Sequence, residues 1–170
     1  MRALAGLSPS ARQRRQRRLD LLIGWGNSLR QDDGVGLAIA EQVQGWGRPG
    51  LKVLAIPQLT PELAPQLAAA DRVLFVDAVL APACPSPGWR LEPLDTSTQA
   101  VRAAGAGPLS HHASPGALLQ LSGCLYGRTP PAWQLLVRAH CCELGTELSA
   151  ATAALLPEVL VAVGLWCGDA

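Results

Sequence analysis

The sequence predicts an α/β fold: a three-layer αβα sandwich on a mostly parallel, twisted sheet of about five strands, with helices on both faces. Three observations predict it. Short, nearly continuous apolar runs of strand length alternate with stretches of helical period, in the order βαβαβ(β)αβα. The 170 residues fit one domain and leave little room for a second. Apolar residues make up 49% and charged residues 16%, enough for a full core and too apolar for disorder in the body of the chain.

Residues 19–24 (LDLLIG) are a short apolar run ending in glycine, suited to a buried strand. Residues 25–34 (WGNSLRQDDG) are rich in turn formers and read as a loop. From Val35 the period becomes helical: Val35, Ile39, Val43 and Trp46 share one face, and Glu41, Gln42 and Gln44 fall off it. Asp32 or Asp33 is expected to cap that helix, and Gly45 or Gly47 to end it. Residues 51–56 (LKVLAI) form a second strand. A helix is expected over 60–70, with Thr60 as N-cap and Pro61 in the first turn. Residues 72–78 (RVLFVDA) form a third strand, apolar until it reaches Asp77. The stretch 82–107 is rich in Pro, Gly, Ser and Thr and holds one short strand around 89–94. An apolar helix is expected over 116–126, a last strand over 134–139 and a closing helix over 149–165 that must accommodate Pro157. No internal repeat is visible.

A formal charge of +1 removes the electrostatic argument for a nucleic-acid partner, and the five tryptophans are scattered singly, without a stacking platform. The balance hides an asymmetry. Six of the 14 basic residues (Arg2, Arg12, Arg14, Arg15, Arg17, Arg18) lie in the first 18 positions, leaving the rest of the chain acidic. Residues 1–18 read as a disordered basic tail, and 19–170 as a single domain. The five cysteines are odd in number, form no Cys-x-x-Cys, and include the adjacent pair Cys141-Cys142. Reduced thiols in the cytosol fit better than a disulfide scaffold. No apolar run approaches the roughly 18 residues needed to span a bilayer. The short strand that follows the arginine pairs contains an acid and is no signal-peptide core. A cytoplasmic protein without a membrane partner is expected.

In open parallel sheets ligands bind at the carboxyl ends of the strands. Three polar clusters fall there: the loop ending in Asp32-Asp33, Asp77 at the end of the third strand, and His111-His112 ahead of a helix. A lone carboxylate after four apolar residues must find a partner or shift its pKa, so Asp77 is the most telling. Ordinary roles compete: Asp77 and Asp33 as caps, the histidines as solvated loop residues. Two carboxylates and an imidazole from three strand ends would suit a borderline cation, with coordination positions left open.

Other chemistries fit less well. Gly24-Trp25-Gly26 imitates a dinucleotide fingerprint, but Leu29 stands where the third glycine should fall and no acid ends the second strand. No Gly-x-Ser-x-Gly elbow, His-Glu-x-x-His or P-loop occurs. His140 beside Cys141-Cys142 could pair a base with a thiol, but adjacent residues of an extended segment point to opposite faces, which favours packing.

The segment Gly24-x-Gly26-Asn27-x-Leu29-x-x-Asp32-Asp33-Gly34-x-Gly36 resembles the signature of the hydrogenase maturation endopeptidases. These proteins remove a C-terminal extension from the precursor of the [NiFe]-hydrogenase large subunit. Further agreement follows in the expected order: residues 58–64 (QLTPELA), 76–78 (VDA), His111 followed by Leu118-Leu119, and the stretch 143–149. The resemblance covers about residues 19–165, and the branch acting on bidirectional, NAD-linked hydrogenases is the nearest in likeness.

The resemblance implies the αβα fold, an aspartyl-type endopeptidase, and a catalytic, nickel-binding trio of Asp33, Asp77 and His111, with His112 as the alternative histidine. Some members carry glutamate at the first position; the shorter Asp33 would draw the metal closer to the backbone or let Asp32 compete. Gly24, Gly26, Asn27, Asp32 and Gly34 would form the substrate loop, its glycines allowing close approach of the substrate peptide. Nickel is then presented by the substrate, the large-subunit precursor, to a protease expected to be a monomer. Oxygen and nitrogen donors bind nickel weakly beside the precursor's thiolates, so contact need not strip the metal. Positioning, Lewis-acid polarisation or a carboxylate general base could each carry the chemistry. The alternative is a nickel-binding assembly factor without proteolytic activity, although such carriers usually show a histidine-rich tract absent here.

Overall fold

The computed structural model of the chain describes residues 18–80, 87–95 and 113–168. Among these residues lie the strands β1 (Asp20–Trp25), β2 (Leu51–Ile56), β3 (Arg72–Leu80), β4 (Trp89–Pro93) and β5 (Ala132–Ala139), in one sheet of order β2-β1-β3-β5-β4. β1 pairs in parallel with β2 and β3, β3 pairs in parallel with β5, and β4 closes the edge antiparallel to β5. The helices are α1 (Val35–Gln44), α2 (Ala64–Ala69), α3 (Pro115–Tyr126), α4 (Ala150–Ala153) and α5 (Leu156–Trp166).

Successive strand side chains point to opposite faces, and here both faces are covered. Leu22, Leu74, Val76, Leu135 and Val137 pack against Val35, Ile39 and Val43 of α1 and Val159 and Val163 of α5. Leu21, Ile23, Val73 and Phe75 fill the other face with Leu63, Leu67 of α2, and Leu118 and Leu119 of α3. This double burial is why the strands read as continuous apolar runs rather than alternating ones. Each such side chain removed from water is worth about 1.5–3 kcal/mol. The three-layer α/β architecture is the one the sequence predicts.

Several elements differ from expectation. Trp46 lies beyond the end of α1 and is 38% exposed, because the helix stops at Gln44 with Gly45 as its C-cap. Neither aspartate caps α1: its N-cap is Gly34, and Asp32 and Asp33 belong to a 3-10 turn, Gln31–Gly34, that precedes it. The expected helix over 60–70 begins as a 3-10 turn, Pro61–Leu63, before α2. β3 continues to Leu80 and β5 starts at Ala132, because the two pair along their length from Val73↔Ala132 to Leu80↔Ala139. The closing helix breaks into α4 and α5, which places Pro157 in the first turn of α5, where its missing N–H is harmless. Ser114 caps α3 by accepting from the Ala117 N–H at 3.2 Å.

α1 lies close against the sheet through a glycine contact. A Cβ at Gly36 would collide with the carbonyl oxygen of Trp25 and lie 2.6 Å from that of Val76, and a Cβ at Gly24 would run into the Gly36 carbonyl. Gly36→Ala should therefore push α1 off the strand ends, at a cost of about 1–3 kcal/mol. Thermal unfolding followed by circular dichroism should show a melting temperature lower by roughly 5 °C. An unchanged melting temperature would mean that the helix can slide away without loss.

Candidate active site

After β1 the chain turns sharply. Gly26 sits at φ 145°, and a Cβ there would strike the Asp33 carbonyl oxygen. The Asn27 side-chain oxygen accepts from the Leu29 N–H at 2.9 Å, and the Arg30 N–H donates to the Asn27 carbonyl at 3.0 Å. Gln31 takes a left-handed φ of 43° as the chain enters the 3-10 turn that carries both aspartates.

Asp32 points into the protein and is fully buried. Its carboxylate accepts the N–H groups of His140 and Cys141, each at 2.8 Å, and of Ser149 at 2.7 Å. The hydroxyls of Ser149 and Thr152 donate to it as well, each at 2.8 Å. Burial by itself would raise this carboxyl; the hydrogen bonds from Ser149, Cys141 and Thr152 overcome it and hold the group at about 2. Backbone bonds reinforce the join: Gln31 N–H to Gly145 O at 2.9 Å, Gly145 N–H to Leu29 O at 3.0 Å, and Asp32 N–H to Cys141 O at 3.1 Å. Asp32 thus fastens the loop before α1 to the segment between β5 and α4. It is too enclosed to compete for a metal or touch a substrate.

Asp33 faces the other way. Its Oδ2 accepts from the Asn27 N–H at 3.2 Å, and its side chain borders a cleft of about 270 Å³ with Arg30, Ala78, Leu80, Ala139 and Cys142. Asp77 follows four buried residues of β3, and its Oδ1 accepts from the Ala78 N–H at 2.8 Å. Burial lifts the Asp77 carboxyl to about 7, against the pull of the Ala78 N–H, and the charge of Asp33 adds to the rise. The two carboxylates therefore occupy one electrostatic neighbourhood. The ion pairs among the described residues, Arg18–Asp20, Arg72–Asp20, Arg90–Glu92 and Arg128–Asp71, involve neither.

Such a pair suits a cation: two oxygen donors of like charge, one held close to neutral only by the strain of proximity and burial. The third expected ligand, His111, and its neighbour His112 lie outside the described residues, which resume at Ala113 ahead of α3. Among the described residues no group of three His, Cys, Asp or Glu side chains could hold a metal.

The remaining expected site residues divide by burial. Gly24, Gly26 and Gly34 are buried and serve the packing of the loop and α1; Asn27 is exposed. Cys142 borders the cleft, but burial and the nearby Asp33 and Asp32 charges raise its thiol pKa, which leaves a poor nucleophile. His140 turns its Nδ1 to Thr152 Oγ1 at 3.0 Å. Ser149 and Thr152, the partners of Asp32, carry no local sequence signal beyond the start of a helix. The resemblance of residues 143–149 was the only available sign that this segment matters.

No family model matches the chain, and no curated protein matches its sequence. Its fold does match solved structures. The hydrogenase maturating endopeptidase HybD from E. coli superposes with a TM-score of 0.69 at 20% identity, over 87% of this chain and 91% of that one. The [NiFe] hydrogenase maturation protease HybD from Thermococcus kodakarensis gives 0.64 at 20% identity, over 88% and 99%. The maturation protease HycI from Thermococcus kodakarensis KOD1 gives 0.65 at 18%, over 89% and 93%. No helix among the described residues is long and apolar enough to cross a membrane.

Two stability measurements test the site's electrostatics. Asp32 has a lowered pKa, so its contribution is complete above about pH 4 and is lost as pH falls through 2, by about 2 kcal/mol. Asp32→Asn should melt well below the parent at pH 7, and the gap should narrow between pH 4 and pH 2. Asp77 has the opposite sign. Its carboxyl holds a proton more firmly in the folded state, so ionising it above about pH 7 penalises the fold. Asp77→Asn should raise the melting temperature at pH 8, and the gain should fade as pH drops from 7 towards 4. A gain that is equal at pH 5 and pH 8 would show that Asp77 ionises as it does in water.

Proposed function

We propose that this chain is an endopeptidase that removes the C-terminal extension of the nickel-loaded precursor of a [NiFe]-hydrogenase large subunit. One observation carries the reading: Asp33, in the turn after β1, and Asp77, within β3, share one electrostatic neighbourhood next to an open cleft lined by Asp33 and Ala78, and burial pushes the Asp77 carboxyl up to about 7. The superposition on maturation proteases supports the same assignment.

The precursor's nickel is part of the substrate in this scheme. Seated in the precursor, it would offer a cation to two carboxylates that are in none of the ion pairs among the described residues, and His111 is the third ligand we assign. Contact through these weaker donors leaves the metal with the precursor and fixes where the scissile peptide lies. Asp77, half-ionised near neutrality in the free protein, would give up its proton on meeting the metal, and through an oxygen that the metal leaves free could then accept a proton from the attacking water and return it to the departing amine. Asp33, oriented by the Asn27 N–H, supplies the second oxygen donor. A bidirectional, NAD-linked hydrogenase as the source of the precursor, action in the cytoplasm and a monomeric protease complete the proposal; these rest on the sequence.

The test is to incubate the purified protein with nickel-loaded and nickel-free precursor and follow intact mass. Only the loaded precursor should shorten. Asp33→Asn and Asp77→Asn should each lower kcat/KM by roughly 10²-fold or more without lowering the melting temperature. In the parent, kcat/KM should climb with pH through about 7, as the free protein's Asp77 loses its proton. No shortening of either sample, together with tight nickel binding, would favour an assembly factor instead.

A further inference from the structure

The cleft beside Asp33 has a volume of about 270 Å³, below the roughly 300–1,000 Å³ of sites that enclose a small ligand. It can take in little more than the segment being cut. A stable protein complex buries on the order of 800 Å² of each partner, so a protein substrate must be gripped mainly around the cleft.

The rim offers such a grip. Leu80, at the end of β3, lines the cleft and is 65% exposed. Leu29 and Leu144 are 61% and 84% exposed, and both stand next to the lining: Leu29 precedes Arg30, and Leu144 follows closely on Cys142. A parallel bridge joins Arg30 to Gly145, with the Gly145 N–H on the Leu29 carbonyl and the Gln31 N–H on the Gly145 carbonyl. The backbones carrying Leu29 and Leu144 therefore lie side by side. Asp32 and this bridge fix them before any partner arrives, so covering the surface costs little ordering entropy. Large apolar side chains gathered on one rim, unlike ones scattered singly, mark an interaction surface.

Arg30, beside Leu29, has donors to spare. Its guanidinium donates to the Cys142 carbonyl at a long 3.4 Å and forms none of the ion pairs among the described residues. The arginine cavity at the opposite end of the sheet differs: there Arg18 and Arg72 are both committed to Asp20. An arginine among apolar side chains has the composition of a protein–protein interface.

We propose that Leu29, Leu80 and Leu144 form the apolar surface on which the hydrogenase precursor docks, with Arg30 donating to a main-chain carbonyl of the segment that enters the cleft. The partner's identity rests on the endopeptidase reading. A carbonyl suits Arg30 better than a carboxylate, because a further anion beside Asp33 and Asp77 would be repelled. The matching face of the precursor is apolar around an extended segment.

Interferometry with immobilised nickel-free precursor and the full chain tests this, since without nickel the rim must hold the partner alone. The parent should bind. Leu29→Gln combined with Leu144→Gln should weaken binding about tenfold or more, and Arg30→Met about tenfold. Neither change adds a charge, and all three side chains are exposed, so the melting temperatures should match the parent's. A parent that does not bind, or either well-folded variant binding like the parent, overturns the proposal. So does a parent that sediments as a dimer which the leucine double variant dissolves, because the surface then belongs to a second copy. Binding without shortening of the nickel-loaded precursor sinks the endopeptidase reading and leaves the docking surface standing. Shortening, with the leucine variant binding at the parent's affinity, sinks the surface and leaves the reading.

Discussion

The buried carboxylate of Asp32 is the fastening on which the cleft depends. An ionised group taken fully out of water is tolerated only when its lone pairs are answered, and here five donors answer them. Three of the donors are backbone N–H groups that a loop would otherwise leave to water. The carboxylate therefore organises the segment between β5 and α4 as much as that segment organises the carboxylate. Because Asp33 is its immediate neighbour in a tight 3-10 turn, holding Asp32 inward leaves Asp33 on the cleft side. The enclosed Asp32 thus sets the direction of a neighbour that has a role in the proposed reaction.

Asp77 is placed by different means. β3 is central in the sheet, paired with β1 and β5, and Asp77 comes where apolar neighbours still surround it. The side chain pays a desolvation penalty that the single N–H of Ala78 does not offset. Strain of this kind is tolerated at functional sites when the surrounding fold is stable enough to impose it. The same strain makes the group useful near neutral pH, since a carboxyl at its ordinary pKa would be a weak base there.

Much of this was legible in the sequence, and the rest was hidden for identifiable reasons. The strands were readable because burial on both faces leaves uninterrupted apolar runs, as in Val73 to Val76. Those same neighbours implied either a partner or a shifted pKa for Asp77, and the structure shows the shift. The division of labour between Asp32 and Asp33 was not readable. Both are acids at a helix start, and local chemistry suggests a cap for either; the true partners of Asp32 lie 108 to 120 positions away. Trp46 continued the helical period of α1 on paper, but a C-terminal glycine ends the helix before the period can place it. The glycines of the loop invited a role in substrate approach because sequence cannot distinguish glycine needed for a ligand from glycine needed for a helix packed on a strand. Gly24 packs against Gly36 of α1, a contact that needs glycine on both sides.

The winding of the chain also explains why acids and bases part company. In a parallel αβα sandwich the helices run back against the strands, so helix N-termini gather at the carboxyl ends of the strands and helix C-termini at the amino ends. Partial positive charge at the start of α1 suits Asp33 just ahead of it; partial negative charge at the ends of α1 and α5 suits Arg48 and Arg72 nearby. The dipoles alone would be satisfied by scattered surface charges. Asp20 goes further by drawing two arginines together, one of them braced on Trp166, and that convergence turns a general electrostatic preference into an ion-paired cluster. The six residues of β1 span about 20 Å, which separates the cluster from the cleft. β1 and β3 begin at the arginine cavity and run towards the aspartates, and α1 runs the other way, from the turn that carries Asp33 to the stretch holding Trp46 and Arg48.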